Sequence, residues 1–196
     1  MRKAVTRIIP PLLIIVGVVL FVLASRREEP TGLPQAQMGA GGAGHLAPSF
    51  RARTATGKTI DLPADYRGKL VLLDFWATWS PPCRSEIPHI VQTYRQFHRQ
   101  GLEILGVSLD STQRIPAREV LRFTTQQQML WEQILDGTDV IRIATAYGVD
   151  GIPAAFLVDG DTGQVLASGE LLRGGNLLRT IAKYLDIKKG TAYATP

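Results

Sequence analysis

Residues 74–86, DFWATWSPPCRSE, carry the reading of this chain. Upstream, KLVLLDFWA (residues 69–77) is a near-continuous apolar run of strand length, the pattern of a strand buried on both faces. Downstream, Ile87, Ile90, Val91, Tyr94 and Phe97 recur at helical spacing, and Gly101 marks where that helix should stop. Between the two, Ser80 is a preferred helix cap and Pro81 suits a first helical turn. The stretch therefore reads as strand, turn, helix, with one thiol, Cys83, just inside the helix. In that position the helix dipole and free N–H groups favour a thiolate.

The same alternation continues on either side. SFRARTATGKTIDL (49–62) reads as a strand pair turning at Thr56-Gly57, and LEILGVSLD (102–110) as a second buried strand. PAREVLRFTTQQQ (116–128) and GTDVIRIATAYGV (137–149) read as helices flanking a short strand in MLWEQILD (129–136). AAFLVDGDTGQVLASGE (154–170) is a hairpin, and GGNLLRTIAKYLDI (174–187) a closing helix. The predicted fold class is α/β, a three-layer α/β/α sandwich around a mixed central sheet.

Composition narrows the function classes. The formal net charge of the 196 residues is +5, but the first thirty carry five basic residues (Arg2, Lys3, Arg7, Arg26, Arg27) against Glu28 and Glu29. The remainder has too small an excess for a nucleic-acid-binding face. Three histidines, His45, His89 and His98, and a single cysteine lack the spacing of a metal site. No glycine loop follows a strand to cradle a phosphate, so neither cofactor nor metal is expected. One cysteine also excludes any disulfide within the chain. The basic residues Arg173, Arg179, Lys183, Lys188 and Lys189 are expected on a solvated face.

The N-terminus reads as an export signal. Residues 1–24 combine a basic flank with the apolar run LLIIVGVVLFVLA and are expected to form a signal-anchor or transmembrane segment, a cleaved signal being the alternative. The positive-inside rule then puts the rest of the chain on the extracytoplasmic side. Residues 25–44, rich in Gly, Pro and small polar residues, read as a flexible linker with a reach of roughly 25 Å. The domain is expected over 45–188, followed by a tail over 189–196.

With DFWATWSPPCRSEIP set between the first central strand and its helix, the chain resembles the thioredoxin superfamily. It is most similar to the TlpA/ResA-type membrane-anchored thiol-disulfide oxidoreductases. APSF, GKTIDLPADYRGKLVLLDFWATW, Pro88 and YGVDGIPAAFLVD extend the resemblance over about residues 45–187. Such proteins carry Trp-Cys-x-x-Cys; here the pattern is Trp79-Ser80-Pro81-Pro82-Cys83. The resemblance places Ser80 at the exposed, attacking position and Cys83 at the resolving one. It makes Asp74 the buried acid that moves protons at that sulfur, and Glu86 an acid three residues beyond it. It also implies a cis Ile152–Pro153 bond which, with Trp79 and Pro82, forms a peptide-docking groove.

A serine oxygen cannot replace sulfur in disulfide exchange, so this chain alone cannot run the dithiol cycle. Burial and a neighbouring carboxylate are expected to keep Cys83 mainly a thiol at neutral pH. The expected partners are cysteine-bearing or unfolded extracytoplasmic proteins, bound through the retained groove, with the membrane engaged by the N-terminal helix. Two other readings use the same residues. One is a monothiol oxidoreductase that draws on an external thiol, serving redox homeostasis or cytochrome c maturation. The other is a peroxiredoxin-like peroxidase built on Ser80-x-x-Cys83, for which no activating arginine is found around Ala154 and Ala155.

Overall fold

The structure, a computed structural model, describes residues 44–193, with side chains to residue 190. The expected signal-anchor (1–24), and the linker up to residue 43, lie outside the described residues. Seven strands form in chain order: β1 Phe50–Arg53, β2 Thr59–Leu62, β3 Leu70–Trp76, β4 Leu102–Ser108, β5 Glu132–Ile134, β6 Ala154–Asp159 and β7 Val165–Ser168. Four α-helices accompany them: α1 Pro81–Phe97, α2 Ala117–Gln126, α3 Gly137–Ala146 and α4 Gly174–Tyr193. The closing helix runs on through the start of the segment expected to be a tail.

β1 and β2 pair as an antiparallel hairpin, and the other five strands form a mixed sheet in the order β5-β4-β3-β6-β7. β3–β4 and β4–β5 are parallel, whereas β3–β6 and β6–β7 are antiparallel. Every residue of β3 is buried, because it is the middle strand and helices or hairpin cover both of its faces.

Side chains alternate across a strand, so β3 feeds two cores. Val71, Leu73 and Phe75 pack with the β1–β2 hairpin and with Val140, Ile143 and Tyr147 of the α3 region. Leu70, Leu72 and Trp76 pack on the opposite face with Ile87, Ile90 and Phe97 of α1 and Leu177, Ile181 and Leu185 of α4. This gives the three layers expected of the α/β/α sandwich. By the same period of two, Asp74 belongs to the second face, the one covered by α1 and α4. An acidic residue is thereby placed in an apolar layer beneath the helix that carries Cys83.

Among the described residues no helix is long and apolar enough to cross a membrane.

Candidate active site

The site forms where β3 ends and α1 begins. Ser80 adopts an extended backbone and its hydroxyl accepts the Cys83 N–H at 3.3 Å, with Pro81 opening the helix. The cap lets the chain leave the sheet and start a helix within a few residues, and such a cap is worth about 0.5–2 kcal/mol. The turn before it is held from another strand. Asp110, just beyond β4, accepts the Thr78 N–H at 3.1 and 3.2 Å and the Thr78 hydroxyl at 2.5 Å. The Ser108 hydroxyl donates to the same carboxylate at 2.6 Å. Asp110 and Ser108 are buried, so these bonds form in a medium where breaking one is costly.

This anchorage presents Trp79 outward, 44 % exposed, beside the exposed Pro82. Ser80 itself is only 3 % exposed, and Cys83 only 2 %. The expectation of an exposed residue at position 80 is therefore corrected. A hydroxyl committed to capping α1 turns back toward the helix rather than out toward a substrate.

Burial pushes the Cys83 thiol up from its ordinary pKa, and the Asp74 carboxylate raises it further. Hydrogen bonds with the Ser80 side chain and the Ala77 backbone, and the Arg173 guanidinium, act in the opposite direction. Burial likewise pushes Asp74 up, to about 7; Arg173 opposes that shift and Glu86 adds to it. Of the charges acting on it, only the Arg173 guanidinium offsets that desolvation. Cys83 and Asp74 are thus both held toward their protonated, neutral forms at neutral pH.

Glu86 is half-buried and its Oε2 accepts the Gly174 N–H at 2.7 Å, at the start of α4. It joins the thiol-bearing helix to the closing helix while its charge reaches Asp74. The Ile152–Pro153 bond is cis and both residues are half-buried, at the entry to β6. Because β6 pairs with β3, with Phe75 opposite Ala154, this segment arrives beside the turn at the end of β3. No backbone hydrogen bond of Ile152 forms among the described residues.

Two residues that sequence reasoning assigned to other roles belong to this neighbourhood. Arg173 was expected on a solvated face, yet its Nη2 donates to the Pro153 carbonyl, and its charge is felt at both Asp74 and Cys83. The only arginine whose charge is felt at the thiol comes from the segment before α4 rather than from around Ala154 and Ala155, and its effect is the smallest of those acting on Cys83. Asp110 drew no attention as the last residue of an apolar strand pattern. Lys188, also expected to be solvated, bridges Asp159 and Asp161 at 2.8 and 2.5 Å, far along α4 from the site. Among the described residues no group of histidine, cysteine and carboxylate side chains could hold a metal ion.

Comparison with known proteins agrees with this fold. A model of the AhpC/TSA family matches residues 43–167. Thiol-disulfide oxidoreductase ResA of Geobacillus thermodenitrificans is 35 % identical over 116 residues, which span 59 % of this chain and 63 % of that protein. ResA of Bacillus thuringiensis subsp. konkukian is 32 % identical over 143 residues, 72 % of this chain and 76 % of that protein. Among solved structures, the thioredoxin domain of a thiol-disulfide oxidoreductase from Bacteroides vulgatus superposes with a TM-score of 0.64 at 30 % identity, covering 74 % of this chain and 98 % of that one. A thiol:disulfide interchange protein from Bacteroides sp. matches with the same TM-score and identity, over 74 % of this chain and 91 % of its own.

Proposed function

Since the chain belongs to the AhpC/TSA family, among relatives of the ResA thiol-disulfide oxidoreductase type, we propose that it retains their docking site but lacks their dithiol cycle. In this reading it binds cysteine-bearing or unfolded polypeptides on the extracytoplasmic side of a membrane, tethered by residues 1–24. One observation carries the proposal. The only thiol in the chain is that of Cys83, and it is buried behind a serine that is occupied as a helix cap.

Disulfide exchange needs a thiolate to attack a disulfide sulfur and a second thiol to release the mixed disulfide. Cys83 is 2 % exposed, and burial raises its pKa, so it is poorly placed for the first step. No sulfur in the chain can perform the second. What remains available is the surface: Trp79, Pro82, and the backbone of Ile152 beside Pro153.

A monothiol reading is favoured by one specific feature. The Ser80 hydrogen bond and the Arg173 charge both lower the Cys83 pKa against its burial. In that case a partner or small thiol would supply the resolving sulfur. A peroxidase reading has less support, because a peroxide must reach the sulfur and Cys83 is enclosed.

Reduction of a protein disulfide by dithiothreitol, with the full-length chain as catalyst, separates these readings. The docking reading expects no acceleration over dithiothreitol alone, and acceleration by the Ser80→Cys variant. Acceleration by the unaltered chain that disappears in Cys83→Ala would establish the monothiol reading instead. If Ser80→Cys gains nothing, the scaffold has lost more than one atom and the docking reading loses its basis.

A further inference from the structure

We infer that Arg173 is a positioning residue of the docking site: with Gly174 it ties the Pro153 loop to the thiol-bearing helix α1, and so sets the width of the groove between them. The inference rests on the docking reading above and names what holds that groove in shape.

The tie has two ends. Arg173 lies between a short 3-10 turn, Gly169–Leu172, and α4, with an extended backbone at φ −120° and ψ 146°. Its Nη2 donates to the carbonyl oxygen of Pro153. The very next N–H, that of Gly174, donates to Glu86 of α1 at 2.7 Å. Gly174 has φ +48°, a left-handed conformation that glycine adopts without the usual steric penalty. That conformation turns the chain so that adjacent residues address opposite walls of the site.

The other Arg173 contact is weak. Its Nε stands 3.5 Å from Glu170, whose side chain is 89 % exposed, and an ion pair so solvated contributes little. The Pro153 carbonyl is therefore the partner that fixes the guanidinium, and it is occupied from within the protein. A docked chain is left with the Ile152 backbone, which fixes the register in which it can lie.

The guanidinium does a second thing from the same place. The charges felt at Cys83 are those of Asp74 from β3 and of Arg173 itself, and Asp74 in turn feels Glu86 from α1 and Arg173, so the cation acts against both acids. It opposes the burial that raises the pKa values of Asp74 and Cys83. Geometry and charge are separable by substitution: lysine keeps the charge but not the planar fork of donors, and methionine keeps neither.

Arg173→Met and Arg173→Lys should be compared with the unaltered full-length chain in two measurements. The first is affinity for a fluorescein-labelled Gly-Ala-Cys-Ala-Gly peptide under reducing conditions. The second is the pH midpoint of Cys83 alkylation by iodoacetamide, which reports one site because the chain has one thiol. Methionine should weaken peptide binding about tenfold, equivalent to about 1.4 kcal/mol, and raise the alkylation midpoint. Lysine should return the midpoint to that of the unaltered chain while leaving affinity at least fivefold down.

Affinity within twofold and an unchanged midpoint in Arg173→Met would overturn the inference. So would identical behaviour of the two variants in both measurements, which would mean the side chain only packs. If the unaltered chain does not bind the peptide, the docking reading fails, and an unmoved midpoint in Arg173→Met then removes Arg173 from the site as well. If Arg173→Met does not fold by circular dichroism, undiminished affinity in Arg173→Lys is the overturning result.

Discussion

Substituting Asp74 by asparagine should change how the stability of this domain responds to pH. Asp74 sits in the apolar layer under α1, and burial pushes its pKa up from 3.8 to about 7. Between those values the unfolded chain has released the proton while the folded chain still holds it. Rising pH therefore favours the unfolded state, and stability is lost from about pH 4 to about pH 7 before levelling off. At about 1.4 kcal/mol per pH unit, the gap between 3.8 and about 7 corresponds to about 4 kcal/mol. Asparagine has nearly the same shape and never ionises, so its own cost or gain is independent of pH.

Urea unfolding of both proteins at intervals from pH 4 to pH 8 isolates the effect, since every other titrating group is common to the two. Stopping at pH 8 keeps Cys83, whose pKa is raised, largely protonated in both. The stability of Asp74→Asn relative to the unaltered chain should climb by about 3–4 kcal/mol across the range. A climb below about 1 kcal/mol would refute the reasoning, because the carboxyl would then have to be solvated or fully compensated by Arg173.

Two further substitutions test the framework that positions the site. In Gly106→Ala the new Cβ would stand 2.1 Å from Oε1 of Gln133, the atom that accepts the Trp76 Nε1–H at 3.1 Å. The amide must move and the buried bond is lost, so denaturant titration should register a destabilisation of about 2–4 kcal/mol. Asp110→Asn replaces a carboxylate that accepts from Thr78 and Ser108 with a group that has one acceptor and one donor face. At least one charge-assisted bond goes, for about 2–3 kcal/mol, and hydrogen exchange at the Thr78 amide should rise more than at the centre of α1. Unchanged Thr78 exchange would show that Asp110 does not hold the turn.

How legible each part was from the chain depends on how far apart its partners lie. The strand at residues 70–76 and the helix that follows were readable because their signals are local. An unbroken apolar run, a capping serine before a proline, and apolar residues at helical spacing all act within a few residues. Cys83 in the first turn of α1, and the absence of a second thiol, needed only the order of residues. The placement of Ser80 was legible as a cap but not as a buried group. Its enclosure depends on what packs over the turn, and the cap hydrogen bond by itself says nothing about that.

Other features had no local signal to read. Trp76 and Gln133 are 57 residues apart, Thr78 and Asp110 are 32 apart, and Arg173 and Pro153 are 20 apart. In its own segment Asp110 looks like the end of an apolar strand, and Arg173 like an ordinary surface charge. By itself, then, the sequence determined the layered fold, the strand–turn–helix that carries the thiol, and the presence of a single cysteine, because periodicity, capping and the count of cysteines are properties of neighbouring residues or of the whole list. Only the tertiary structure decided that the Asp74 pKa is raised, that Ser80 and Cys83 are enclosed, and that Arg173 braces the site. Burial, field and long-range hydrogen bonds exist only once β3, β6, α1 and α4 have been brought together.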